Sequence, residues 1–179
     1  ESAGAHVVEE PKRGYGNAYR HGFQSVCGEV ICTMDADCSY PAEILPDLVD
    51  RLINEGLDFI TTDRLTNLND GIMSSQNRIG NAALTLVSRL LFRSPFRDSQ
   101  SGMWVFRAGL LKQMRLDATG MALSQEIKIE AACRLNARCI EVPIRYGYRR
   151  GDPKLRSWRD GFANLGHLLR KRFFIRHYN

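Results

Sequence analysis

Val30-Ile31-Cys32-Thr33-Met34-Asp35-Ala36-Asp37 is the stretch on which the fold turns. Mostly apolar residues run straight into two aspartates one residue apart. The run predicts a buried strand of a parallel sheet, bounded by Gly28 before it and Pro41 after it. In open α/β sheets ligands bind outside the carboxyl ends of the strands, where Asp35 and Asp37 stand. Residues two apart in extended chain point to the same side. Two carboxylates aimed at one point repel unless a cation lies between them. Hard oxygen donors suit Mg2+ or Mn2+, and an ion of that kind also holds a diphosphate. The pair alone is equally compatible with a strand ending in a turn, where aspartate bonds the local backbone. Its surroundings decide between the two.

On the far side, Cys38-Ser39-Tyr40-Pro41 leads into residues 42–54. There Ile44, Leu45, Leu48, Val49, Leu52 and Ile53 form a helical stripe closed by Gly56. Residues 57–62 predict the next strand, ending at Asp63-Arg64. On the near side, residues 5–8 are a short apolar run that can be a strand only within a larger sheet. Gly14-Tyr15-Gly16-Asn17-Ala18 then opens a helix that runs to the neighbourhood of Gly28, with Ala18, Phe23 and Val26 toward one face. Glycines at a helix start let backbone N–H groups approach a phosphate, although a plain helix entry uses them as readily. The succession β-α-β-α-β is that of a parallel sheet with right-handed crossovers. Its active strand comes unusually early, so the chain is expected to lack an amino-terminal strand-helix unit.

Further along, residues 66–75 read as a loop. Residues 77–92 read as a long helix with Ile79, Leu84, Val87, Leu90 and Leu91 inward. Residues 96–102 are turn-like, and residues 103–106 a short strand. Residues 110–114 read as a helical turn. A helix over residues 124–136 follows, with Ser124 as a plausible N-cap. Residues 139–144 make a strand that tolerates Pro143 only at an edge or an end. Residues 146–154 form a basic loop. Residues 158–178 place Trp158, Phe162, Leu165, Leu168, Leu169 and Phe173 on one side of a helix, with Arg159, Arg170, Lys171, Arg172 and Arg176 elsewhere. A basic amphipathic helix of this kind suits a membrane surface. The chain is therefore divided into residues 1–155, a partial catalytic domain, and residues 156–179, a membrane-proximal helix.

With 179 residues, 44% hydrophobic and 25% charged, the chain can bury one ordinary core. Its net charge of +5 favours an anionic partner. Aromatic residues do not interleave with the basic ones as stacking platforms would, which argues against nucleic acid. No apolar run reaches the roughly eighteen residues of a membrane span. The five cysteines, an odd number without a CxxC pair, read as reduced structural thiols.

Taken in order, these motifs resemble the inverting glycosyltransferases of family 2, in particular the dolichyl- or polyprenyl-phosphate sugar synthases. The resemblance spans nearly the whole chain. It rests on the 14–18 turn, residues 34–41, Arg64, Arg78, Asp98-Ser99-Gln100-Ser101-Gly102, Gln125-Glu126, Glu141-Val142-Pro143-Ile144, and Arg149 through Lys154-Leu155. Lys154 departs from the serine that relatives often carry there. The resemblance implies an α/β, GT-A-like, mostly parallel sheet flanked by helices and lacking its first strand-helix unit. It implies a nucleotide-diphospho-sugar donor bound by Asp35, Asp37, Gly14, Gly16 and Asn17, and Mg2+ or Mn2+ at Asp35, Asp37 and Ser39. The implied acceptor is a polyprenyl or dolichyl phosphate at the cytoplasmic face of a membrane, met by Arg64, Arg78, Gln125, Glu126, Arg149 or Arg150, and Lys154. Asp98 is the family's candidate base or acceptor-orienting group. A lipid monophosphate is largely ionised at neutral pH and needs cations to hold it in line more than it needs a base. The alternative is a phosphatase with an aspartate nucleophile, using Asp35 and Asp37. That class expects a later acidic pair after another strand, where this chain has Arg145 and Tyr146.

Overall fold

The structure, a computed structural model, describes residues 4–151 and 157–174, the side chains of 157 and 158 excepted. The elements in chain order are α1 (Tyr15–Gly22), β1 (Val30–Thr33), a 3-10 turn (Ala42–Ile44) leading into α2 (Leu45–Asn54), β2 (Phe59–Asp63), α3 (Ser75–Phe92), β3 (Trp104–Arg107) and α4 (Ala108–Leu111). They continue with α5 (Leu123–Ile129), which runs on as a π-helical turn (Glu130–Arg134), then β4 (Cys139–Pro143) and α6 (Ser157–Phe173).

The four strands form one sheet in the order β1-β3-β2-β4. β2 and β4 are parallel, with Asp63 opposite Pro143. β3 is antiparallel to both β1 and β2. Three strands therefore share a direction, and the fourth runs back between them. This corrects the expectation of parallel neighbours for β1, whose partner among the described residues is the reversed β3. β1 is a half-buried edge strand, with Ile31 and Thr33 inward and Cys32 exposed. Pro143 ends the strand at the opposite edge, where a missing N–H costs least.

Alternation along the strands builds two cores. Ile60 and Val105 face α2, where they meet Leu48, Leu52 and Met103. Phe59, Trp104 and Phe106 face the other way, against Ile127 and Ala131 of the α5 segment and Tyr19 and Phe23 of the α1 segment. α3 and α6 form a further layer with Leu84, Phe92, Ile129 and Leu168 at its centre.

Several local expectations are corrected. Residues 5–8 form no strand. α1 ends at Gly22 and packs through Tyr15, Gly16, Tyr19 and Phe23, while Ala18 and Val26 are exposed. Ile79 and Leu90 point outward from α3. Ser124 does not cap α5: the N-cap is Ala122, and the buried Ser124 hydroxyl finds no hydrogen-bond partner among the described residues. The apolar side expected for the last helix is divided, with Leu168 buried and Phe162 and Phe173 outside. The expectations for Lys154, Arg176 and the Trp158 side chain lie outside the described residues.

Gly14 and Gly16 serve a packing need. The Asn17 amide donates to Thr119 O at 3.1 Å. A Cβ on Gly16 would lie 2.2 Å from the Ala118 carbonyl oxygen, and one on Gly14 2.3 Å from that of Thr119. α1 can seat this closely only without those carbons. Gly16→Ala is expected to unseat α1 and lower the thermal midpoint by roughly 4–8 °C, the equivalent of about 2 kcal/mol in a domain of this size. A midpoint within about 1 °C of the parent in a calorimetric scan would count against this seating.

Candidate functional site

β1 stops at Thr33, and the chain turns sharply through residues 35–39 at the carboxyl end of the sheet. Cys38 takes a left-handed conformation, φ +64°. Asp37 Oδ1 accepts the Ser39 amide at 3.0 Å and also the Ser39 hydroxyl. Its Oδ2 lies 2.7 Å from Arg149 Nε. The loop after β4 is tied to the same turn by its backbone: Gly147 N donates to Ser39 O at 2.8 Å, and Arg150 N to Asp37 O at 2.7 Å. Partial burial pushes the Asp37 carboxyl up, but the Ser39 hydrogen bonds and Arg149 outweigh it and hold the group below the usual range.

Asp35 behaves in the opposite sense. Burial, and then the charge of Asp37, push its carboxyl up, with Arg149, Arg64 and a hydrogen bond from Tyr19 acting against them. Tyr19 is itself pushed up to about 12, mainly by burial. The Tyr15 hydroxyl is buried in the same corner and completes no hydrogen bond of ordinary geometry among the described residues. Gly102 closes this corner. A Cβ there would lie 2.6 Å from Tyr15 Oη and 3.6 Å from both Asp35 oxygens. The two aspartates thus feel each other's charge, and both feel Arg149. The donor set is all oxygen, two carboxylates and the Ser39 hydroxyl. That chemistry fits a hard divalent cation.

Arg64 follows β2 and is buried against Asp98. Arg64 Nε lies 2.7 Å from Asp98 Oδ2 and its Nη2 2.9 Å from Oδ1, a bidentate pair. The Arg64 and Gln100 amides donate to the same carboxylate at 3.1 and 3.0 Å. These four bonds use all the acceptor sites of Asp98. Burial opposes its ionisation, yet Arg64 and Lys128 bring it down to about 2. Lys128 donates to Asp98 O at 2.5 Å and is lowered to about 8 by burial. Glu141 of β4 accepts the Arg97 and Asp98 amides at 2.7 and 2.9 Å. The Arg64 guanidinium also lies 5.4 Å from the centre of the Tyr146 ring.

Gln125 and Glu126 are buried and turned toward α6. Gln100 Nε2 donates to Gln125 Oε1 at 3.0 Å, Gln125 Nε2 to Asn164 O at 2.8 Å, and Asn164 Nδ2 to Gln100 Oε1 at 3.0 Å. Glu126 Oε2 accepts the Asp117 and Ala118 amides, and its Oε1 meets Lys171 Nζ at 2.8 Å and His167 Nε2 at 3.2 Å. Asp117, Glu126 and His167 bring their ligand atoms within 4.8 Å of one another. Lys171 and Arg170 already supply cations there.

The structure therefore gathers Asp35, Asp37, Ser39, Arg149, Arg64 and Asp98 at one end of the sheet. Arg78 is exposed on the first turn of α3, and Asn17, half-buried, bonds Arg13 O through its side chain. Sequence reasoning missed Tyr15, Tyr19, Tyr146 and Lys128. It also missed Asn164, His167 and Lys171, whose spacing of three or four residues marks one polar stripe on α6.

The family model described as "Glycosyl transferase family 2" matches residues 1–114. The "Dolichyl-phosphate hexose transferase" of Haloferax volcanii is 36% identical over 161 residues, covering 89% of this chain and 68% of that protein. The "Dolichol-phosphate mannosyltransferase" of Pyrococcus furiosus is 26% identical over 174 residues, covering 92% of this chain and 47% of that protein. Among solved structures, glucosyl-3-phosphoglycerate synthase from Mycobacterium tuberculosis in complex with Mn2+, UDP-glucose and phosphoglyceric acid superposes with a TM-score of 0.71 at 18% identity. The match covers 94% of this chain and 61% of that chain, and it shows the fold. The chain spans 40% to 68% of the length of the curated relatives it matches.

The depressed Asp98 carboxyl makes a pH-dependent contribution to stability. Its ionised form is favoured in the fold, so the contribution is complete above its unfolded value of about 4 and is lost as pH falls toward 2. Asp98→Asn is expected to cost about 3–5 kcal/mol at pH 7 by stranding Arg64. In urea titrations the gap from the parent should narrow between about pH 4 and pH 2. A gap independent of pH would remove the ion pair as its cause.

Proposed function

The chain belongs to glycosyl transferase family 2, and from that premise we propose that it moves a hexose from a nucleotide-diphospho-sugar to a polyprenyl (dolichyl) phosphate with inversion at the sugar. The observation that carries this reading is the shared electrostatic neighbourhood of Asp35 and Asp37 with Arg64 and Arg149. An acidic corner beside guanidinium groups suits a reaction with a cation-bound diphosphate on one side and an anionic nucleophile on the other. The acceptor named in two relatives supports the lipid phosphate. In this reading the reaction takes place at a membrane's cytoplasmic face. The Mn2+ and UDP-glucose of the structural relative support the donor. The phosphatase alternative gains nothing from the family match.

In this reading Asp35, Asp37 and Ser39 would hold Mg2+ or Mn2+, which supplies positive charge for the leaving nucleotide diphosphate. Gly14, Gly16 and Asn17 border the donor from α1, the helix that brings Tyr19 onto Asp35. Arg149 spends one donor on Asp37 and keeps others for a phosphate. Arg64 presents its guanidinium beside Tyr146, and Asp98 fixes its direction. Asp98 acts here as the orienting group, because its acceptor sites are filled and an ionised lipid phosphate needs no base. Arg78 meets the acceptor from α3, and Lys154 from the loop after β4. Gln125 and Glu126 support the site through the 97–102 loop and α6.

The deciding assay uses the full-length protein, a panel of nucleotide sugars and a short polyprenyl phosphate. Asp37→Asn is expected to lower metal-dependent turnover by about 100-fold or more while leaving the thermal midpoint near that of the parent. Turnover that survives this change with Mg2+ or Mn2+ would overturn the metal assignment. Arg149→Ala should raise the KM for the lipid phosphate more than that for the donor, and an equal rise in both would remove Arg149 from the acceptor side.

A further inference from the structure

α1 and the residue that caps it present an aromatic stripe to the sheet. Tyr15, Tyr19 and Phe23 recur every four residues and so share one face. Gly102, Trp104 and Phe106 stand two apart, just before β3 and along it, and face the same way. The two rows run in step. Phe23 meets Phe106 edge-on with 6.0 Å between ring centres, Tyr19 meets Trp104 at 5.4 Å, and Tyr15 Oη lies at the open side of Gly102. Four helical residues rise about 6 Å and two strand residues about 6.6 Å, which keeps the pairs aligned.

The stripe changes chemistry along its length. It is purely apolar at Phe23, and its other two members carry hydroxyls. Those two sit at the end where Gly102 adjoins Asp35. Tyr19 donates a hydrogen bond to Asp35. The Tyr15 hydroxyl is turned toward that of Tyr19, with 4.7 Å between the ring centres. Burial holds both phenols above their usual range, so both keep their protons at neutral pH and stay donors. The hydroxyls therefore line up in one direction, Tyr15 behind Tyr19 and Tyr19 behind Asp35.

Packing does not account for those hydroxyls. Phenylalanine would fill both places, as it does at position 23, and would avoid burying a polar atom. The Tyr15 hydroxyl is buried without a well-formed bond among the described residues, a state that costs stability. Asp37 is fixed by the Ser39 amide, the Ser39 hydroxyl and Arg149. Asp35 has its bond from Tyr19 instead. A donor behind a ligating carboxylate fixes the direction of that carboxylate, and with it the affinity of the site.

We propose that Tyr19, backed by Tyr15, is a positioning residue for Asp35: a two-phenol relay that sets the direction in which this carboxylate meets the cation of the donor diphosphate. The inference rests on the reading of Asp35 and Asp37 as ligands of that cation. It gives α1 a role beyond bordering the donor, since the close seat made by Gly14 and Gly16 carries the relay onto Asp35.

The test is Mn2+ binding to the full-length protein, alone and with uridine diphosphate, read from the paramagnetic resonance of unbound Mn2+. Tyr19→Phe keeps the ring on Trp104 and removes one oxygen, and a thermal scan checks each variant's fold. Tyr19→Phe is expected to weaken Mn2+ binding by about tenfold or more. Tyr15→Phe should weaken it by roughly threefold in the parent and not at all once Tyr19 is phenylalanine, because the relay then has no second member. Phe23→Leu disturbs the same stripe without touching a hydroxyl and should leave Mn2+ affinity alone. In turnover assays Tyr19→Phe should raise the Mn2+ concentration needed for half-maximal rate, and excess Mn2+ should restore most of the rate. Unchanged Mn2+ affinity in Tyr19→Phe, with binding lost in Asp37→Asn, would overturn this inference and leave the metal assignment standing. No Mn2+ binding by the parent would take both down. An equal loss in Phe23→Leu and Tyr19→Phe, or a Tyr15→Phe effect of the same size in both backgrounds, would reduce the stripe to packing and overturn the relay.

Discussion

A charge pair nearly sealed from water, Arg64 with Asp98, ties the fold to the site. Removing two ions from solvent costs several kcal/mol each, and only full hydrogen bonding offsets it. Here two parallel N–H···O bonds and two backbone amides supply that bonding. The carboxylate belongs to residues 97–102, and around this loop the elements converge. Glu141 holds its amides from β4, Lys128 its carbonyl from α5, and Thr85 of α3 its Ser99. Arg64 thus brings the loop to the carboxyl end of β2. β3 starts there and can only run back toward the other end, which is why it is reversed between β1 and β2.

The same loop joins the acidic corner to the basic one. Its last residue, Gly102, lies against Asp35 and Tyr15, and its amide donates to Tyr40 Oη at 2.8 Å. Tyr40 packs edge-on to Tyr146 at 5.1 Å, and Tyr146 lies against Arg64. A side chain at position 102 would push on the tyrosine and the carboxylate at once. The distance between acid and guanidinium is therefore set by aromatic packing and one glycine, with no flexible linker between them.

Much of this was legible in the sequence. The apolar run before Asp35 is a strand, the stripe at 48 and 52 faces the core, and the strand ending at Asp63-Arg64 stands where the pattern puts it. Asp35 feels the charges of Asp37, Arg64 and Arg149, all residues that the motifs single out. The direction of β3 was not legible, because four alternating residues look alike in either sense and only the pinned loop distinguishes them. Ile79 and Leu90 misled because apolar residues run round much of α3, so a periodic count finds more than one face. Gln125 and Glu126 look like ordinary polar residues at a helix start. Their burial depends on Asn164, His167 and Lys171 far along the chain, a long-range match that no local window contains.

The circuit of Gln100, Gln125 and Asn164 has a consequence for inheritance. Each amide in it is turned one way, and reversing any of them sets oxygen against oxygen in a dry place. Gln100 and Gln125 are 25 positions apart, and Gln125 and Asn164 39. A lone glutamate at 125 would lose its donor and face the Asn164 carbonyl. A change at Gln100 or Gln125 alone therefore strands a polar atom of its neighbour away from water, so the tolerance of one position depends on residues far along the chain.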